Sequence, residues 1–211
     1  MLNSLKFGGQ NRWRTVLFCF AISAVLSILQ SSNAFTDTFT IDPAHTSVGF
    51  EVSHLTISKV QGRFDRFNGT IEYDAASPTK ASARGVIKVA SINTENSKRD
   101  KHLRSADFFD ATAFPEIVFA TSGIEKSGSQ LIATGTLTIR GISKTVRFPV
   151  DMRGPVSDPF GPGQRIGLSG ELKINRQDFG VRYNKTMEAG GLVVGNEVRI
   201  KLEVEAVSKG K

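Results

Sequence analysis

The chain has one cysteine and one tryptophan, Cys19 and Trp13, and both fall within its first 34 residues. The remainder therefore has no disulfide and no thiol chemistry, and an ordinary hydrophobic core must hold it together. Its three histidines, His45, His54 and His102, lie in separate segments, none with a second ligand at a metal-binding spacing. The sequence also lacks a Gly-x-Ser-x-Gly elbow, a Walker loop, a dinucleotide-binding glycine pattern and a His-Glu-x-x-His pair. No set of residues remains that forms a catalytic or metal site, so neither is expected. An enzyme built on His54, His102 and Arg99 is the weakest alternative, because no matched acid and base accompany them.

No acidic residue precedes Asp37, while Lys6, Arg12 and Arg14 stand before an apolar run of fourteen residues from Val16 to Leu29. Ser32-Asn33-Ala34 then gives a small-x-small cleavage pattern. Residues 1–34 read as a cleaved secretory signal peptide. The run is shorter than the roughly 20 residues that a spanning helix needs. No lipobox surrounds Cys19. The expected location is periplasmic or secreted, with no stable membrane span after cleavage. Removal of three basic residues takes the net charge from +7 to +4 over the 177 residues of 35–211. That charge is too low to predict nucleic-acid binding.

What the rest of the chain has is alternation of apolar and polar residues with period two, the mark of half-buried strands. Expected strands are 38–42, 47–55, 60–74, 81–92, 116–124, 131–140, 145–153, 166–174 and 198–206. Phe64 and Phe67 have opposite parity, which predicts a bulge or bend between them. No strand-helix-strand rhythm appears. With the short 38–42 segment, ended by Pro43, left out of the count, the pattern gives about eight strands and predicts an all-β fold, an eight-stranded antiparallel β-barrel in a single domain, 35–211, since closing the sheet removes its edges.

One stretch breaks the alternation. Residues 97–110 gather Lys98, Arg99, Lys101 and Arg104 with Asp100 and His102, then turn to Phe108 and Phe109. A short helical crossover over about 95–110 is predicted, capped by Asn93 or Thr94. Asp100 and Arg104 are spaced for a surface ion pair. Arg99 or Arg104 is placed to neutralise Asp107.

An eight-stranded barrel is filled by side chains or holds one small ligand. Val48, Phe50, Val52, Phe64, Ile87, Leu137, Ile139, Phe148, Leu168 and Leu202 fall on inward faces and are the candidate cavity lining. Ala81, Ala83, Gly85, Ala133, Gly135, Gly170 and Ala206 also fall on apolar faces, and small inward residues leave room. If they sit instead against large partners such as Phe50, Phe64 and Phe148, the barrel is filled. His54, Arg99, His102 and Arg104 are the candidates for a polar mouth that receives a head group. For His54 the favoured reading is a buried, hydrogen-bonded histidine at a strand end.

The run Arg99-Asp100-Lys101-His102-Leu103-Arg104-Ser105-Ala106-Asp107-Phe108, followed by Phe114-Pro115 and Phe119, resembles the signature of the YceI-like family of polyisoprenoid-binding proteins. Ile41-Asp42 to Phe50, His54-Leu55, Gly62-x-Phe64-x-x-Phe67-x-Gly69, Gly135-x-Leu137-Thr138-Ile139-x-Gly141, Phe179-Gly180 and Val193–Val207 agree with it. The resemblance covers nearly all of 35–211. It implies an exported, lipocalin-like barrel whose apolar cavity takes an isoprenoid or similar amphipathic lipid, such as a polyprenyl phosphate or a quinone tail. It implies a binding class and no reaction. No cofactor is expected to be required, a bound isoprenoid lipid or quinone aside, and the protein is expected to be a monomer or homodimer. A stress-related interaction module with a filled barrel is the alternative.

Overall fold

The structure, a computed structural model, describes residues 36–185 and 192–210. The predicted leader, with Cys19 and Trp13, lies outside the described residues. No helix among the described residues is long and apolar enough to cross a membrane.

Eleven strands and one helix follow in order: β1 (Asp37–Ile41), β2 (Ser47–His54), β3 (Ser58–Phe64), β4 (Phe67–Tyr73), β5 (Ser82–Lys88), β6 (Ile92–Asn93), α1 (Ser97–Arg104), β7 (Glu116–Ser127), β8 (Gln130–Ile139), β9 (Ile142–Ser157), β10 (Gln164–Asn175) and β11 (Val194–Ser208). All pairings are antiparallel. They reduce to eight staves, because three staves are broken. β1 and β2 both pair with β11 and are separated by the turn at Pro43–His45. Proline cannot donate to the ladder, so the first stave bends there. β4 pairs with β1 and β3 with β2, and the break at Asp65-Arg66 is the bend that the opposite parity of Phe64 and Phe67 predicts. β5 pairs with β4 and β6 with β3, either side of a turn at Val89–Ser91. β7 to β11 run unbroken, and β11 returns to the first stave and closes the barrel.

The alternation does what it predicts. Val198, Ile200, Leu202 and Val204 of β11 point into the barrel and Arg199 pairs outside with Glu171 at 2.9 Å. Inside, Leu202 faces Val48 and Ile200 faces Phe50. One end is plugged by Phe39, Ile71, Tyr73, Ala81, Ile166 and Ala206. At the other end Phe64, Val89, Ile92, Phe108, Phe179 and Val181 pack beneath α1.

The crossover differs in detail from its expectation. Glu95 takes φ 57, which turns the chain, so the helix starts later and Asn96 caps it by accepting from the Arg99 N–H at 3.0 Å. Thr94 is spent elsewhere. Its N–H, at 2.9 Å, and its hydroxyl both donate to Asp100 Oδ1. Asp100 is thus 7% exposed and holds the helix to its entry strand, not a surface partner of Arg104. Arg104 reaches the Ile92 carbonyl at 3.4 Å. Asp107 is met by His102 at 2.7 Å and not by either arginine. From the turn after β8, Arg140 donates to the carbonyls of Ala106 and Phe108, which clamps the crossover onto the barrel rim.

Candidate functional site

The barrel is hollow. A cavity of about 240 Å³ lies inside it, walled by residues of all the strands except β6 and roofed by Leu103, Phe108 and Phe109. Val48, Phe50, Val52, Phe64, Ile87, Leu137, Ile139, Phe148, Leu168 and Leu202 all line it. The surface they present is almost wholly apolar, as a site for a hydrocarbon tail requires.

The small inward residues divide into two groups. A Cβ placed on Gly85 would meet nothing within 4 Å, so this glycine faces open cavity. A Cβ on Gly135 would lie 2.5 Å from the Phe119 ring, and one on Gly170 would lie 3.3 Å from Phe148. Those two glycines give up their space to a neighbouring aromatic ring, as the filled-barrel reading predicts. Ala81 and Ala206 are buried in the end plug. Among these small residues, Ala81, Ala83, Gly85 and Ala133 are the ones on the cavity wall that no such ring contact accounts for.

Aromatic rings continue from the wall to the roof. Phe50 and Phe64 have ring centroids 5.8 Å apart, and Phe64 meets Phe109 edge-on at 6.1 Å. Phe108 packs 5.0 Å from Tyr183, and the His102 ring stands edge-on to both. These tilted and edge-to-face ring contacts fix the roof over the wall.

The polar-mouth candidates do not assemble around the cavity. Arg99 turns back on its own segment, donating to Thr94 Oγ1 and to the Thr94 carbonyl, each at 2.7 Å. His102 is held by Asp107 and between Phe108 and Tyr183. Arg104 reaches Ile92. His54 ends β2, paired with Ser58 and Val194 at the base of a hairpin. None of the four is among the residues lining the cavity.

Of the two arginines at the cavity wall, Arg84 is exposed and Arg176 is buried, only 5% exposed. It follows Leu172 and Ile174 on the inward parity of β10, and that parity is the signal by which the sequence marks it. Its Nε donates to the Gly195 carbonyl at 2.8 Å. Nη1 donates to Val181 and Tyr183 at 2.7 and 2.9 Å, and Nη2 to Val194 and Asn196 Oδ1 at 3.2 and 3.3 Å. All five guanidinium donors are used on neutral acceptors. Burial pushes its pKa down from the ordinary arginine value. Arg176 pins the chain on both sides of the irregular connection between β10 and β11.

A second polar group lies outside the cavity. Asp42, His45 and Glu205 bring ligand-type atoms within 4.8 Å of one another. Sequence spacing does not reveal this cluster, because the barrel closure brings Glu205 to the corner between β1 and β2. Arg165 already supplies positive charge there, pairing with Asp42 at 3.1 Å, with Asp158 at 2.8 Å and with Glu205. The Asp42 carboxyl is held down to about 2, by His45 first, then by the Ala44 N–H and Arg165. The arrangement is an ion-paired clasp that ties the closing seam.

Comparison with known proteins agrees with this architecture. The YceI-like domain matches residues 39–206. A UPF0312 protein of Staphylococcus aureus (strain MRSA252) is 38% identical over 167 residues, which is 79% of this chain and 95% of that protein. Among solved structures, Burkholderia cenocepacia BcnA superimposes with a TM-score of 0.69 at 27% identity, covering 79% of this chain and 99% of that one. The Campylobacter jejuni YCEI protein gives 0.63 at 36% identity, covering 80% and 96%. A polyisoprenoid binding domain from Saccharophagus degradans shares the fold, with a TM-score of 0.61 at 18% identity over 81% of this chain and 98% of that one.

Proposed function

The chain belongs to the YceI-like family, and from that premise we propose that it is an exported carrier that holds a polyisoprenoid or similar amphipathic lipid, a polyprenyl phosphate or the tail of a quinone, inside its barrel. The observation that carries this reading is the cavity of about 240 Å³ with its almost wholly apolar wall. The Saccharophagus degradans protein of the same fold is described as polyisoprenoid-binding, which points the same way.

The energetics suit a hydrocarbon tail. Each buried carbon contributes at most about 0.8 kcal/mol. Association and ordering take back several kcal/mol or more. A few isoprene units bind usefully without a strong polar contact, and the head group then sets orientation more than affinity. Arg176 supports an anionic or electron-rich end near β10, through its buried charge alone, since its donors are already in use. Any role for His54, Arg99, His102 and Arg104 toward a head group requires it to extend beyond the cavity. The lipid would serve transport, storage or a stress response.

Isothermal titration with a series of quinones of increasing tail length tests the reading. Affinity is expected to rise with each isoprene unit until the cavity is full and then level off. Affinity independent of tail length would contradict it.

A further inference from the structure

We infer that the hairpin tip at Leu55–Ile57, with the basic surface beside it, docks the barrel onto an anionic lipid bilayer. The inference rests on the lipid-carrier reading and adds the surface through which cargo would be exchanged.

Three observations carry it. The first is the tip itself. Ile57 is 84% exposed, although apolar, and it stands at the end of the hairpin between β2 and β3. Leu55 and Thr56 take φ 53 and 62. Glycine or asparagine adopts such a turn cheaply, while a β-branched residue there is strained. The chain thus keeps two side chains at a turn that disfavours them and leaves a third in water.

The second is what the tip touches. The Leu55 N–H donates to Val193 at 2.9 Å, and the Val193 N–H donates to Lys185 at 3.1 Å. Tyr183 in turn packs 4.8 Å from His102 of α1. The tip, Val193, the Tyr183–Lys185 segment and the helix are therefore linked in one chain of contacts. The cavity wall reaches Val52 and Val194 directly beneath it, and Val194 pairs with His54 at the base of the tip.

The third is charge. Segments 54–59, 95–110, 140–144 and 176–185 hold ten basic residues against five acidic ones. The whole of 35–211 carries only +4, so its excess positive charge is concentrated at this end. Lys98, Lys101, Arg182 and Lys185 are exposed and have no ion-pair partner among the described residues. An exposed apolar tip beside unpaired cations is what an anionic interface recognises, and it places the α1-roofed end of the cavity against the membrane.

The barrel is suited to the test as the chain 35–211, because the solved relatives covered to 96% and 99% of their length are this domain alone. Co-sedimentation is measured with vesicles of phosphatidylcholine containing phosphatidylglycerol and with vesicles of phosphatidylcholine alone. Binding is expected to the anionic vesicles only. Ile57→Ser is expected to weaken it several-fold, and Arg182→Gln with Lys185→Gln by roughly 30-fold, at about 1 kcal/mol for each cation. None of these residues lines the cavity, so quinone uptake measured on the same variants stays unchanged. Equal binding to both vesicle types, or anionic binding untouched by either variant, would overturn the docking inference. Loss of quinone uptake by the unaltered protein would instead strike the carrier reading.

Discussion

Gly85 on β5 stands directly opposite Phe119 on β7, and the Phe119 ring leans away from it, over Gly135 on β8. One ring thereby makes one glycine obligatory and leaves the other beside empty space. Gly85→Leu is expected to fold with stability within about 1 kcal/mol of the parent, since its Cβ meets no atom within 4 Å and the rest of the side chain enters the cavity. It displaces about four carbons of tail, so quinone affinity should fall by roughly 3 kcal/mol, on the order of a hundredfold. Gly135→Ala should do the reverse, costing about 1–3 kcal/mol of stability through overpacking against Phe119. Urea unfolding and titration on the two variants distinguish these outcomes.

Arg176 binds four main-chain carbonyls and Asn196. Arg176→Met keeps the stem and leaves those acceptors unsatisfied near an apolar cavity. A loss of about 3 kcal/mol is expected by chemical denaturation. Arg176→Lys is expected to recover little of it, because three donors on a point charge cannot reproduce the five-donor fork. Full recovery by lysine would show that charge, and not the fork, is what matters.

The clasp around Arg165 gives a pH dependence whose sign is fixed. Asp42 has its carboxyl lowered to about 2, and Asp158 is also lowered, by Arg165 first. A lowered carboxylate contributes stability that is fully present above its unfolded value near 3.9 and is lost as pH falls toward the folded value. His45 is raised, by Asp42 first, so its contribution is present below about 6.5 and is lost as pH rises through its folded value. The unfolding midpoint of Asp42→Asn, followed from pH 2 to 8, should be flatter than that of the parent in both limbs. An unchanged acid limb would mean that other carboxylates govern it.

The crossover separates into packing and polar parts. Phe108 is buried under α1, and Phe108→Ala should cost about 3–5 kcal/mol. Arg99→Ala removes two hydrogen bonds to Thr94 and should cost about 1–2 kcal/mol without changing which head group is preferred. A changed head-group preference in Arg99→Ala would restore this arginine to the site.

The sequence makes the wall of the barrel legible for a physical reason. Period-two alternation reports which side of a closed sheet a residue faces, and Val48, Phe50, Leu137 and Leu202, all on inward parity, line the cavity. The polar contacts were not legible in the same way. Whether Asp100 meets Arg104 or Thr94 depends on where the helix begins, and the positive φ of Glu95 decides that. Glu205 joins Asp42 only because the last strand closes on the first. Arg176 carried a signal, a cation on inward parity, but its five acceptors are spread over residues 181–196 and cannot be read from spacing. Whether Gly85 or Gly135 faces open space is set by one rotamer of Phe119.

Native mass spectrometry of the protein purified without added lipid from the cells that produce it tests the central claim most directly. The account predicts a population with an added mass that fits an isoprenoid lipid, present in the parent and absent or much reduced in Gly85→Leu. Ligand-free protein alone, with no uptake of quinones or polyprenyl compounds on incubation, would contradict it.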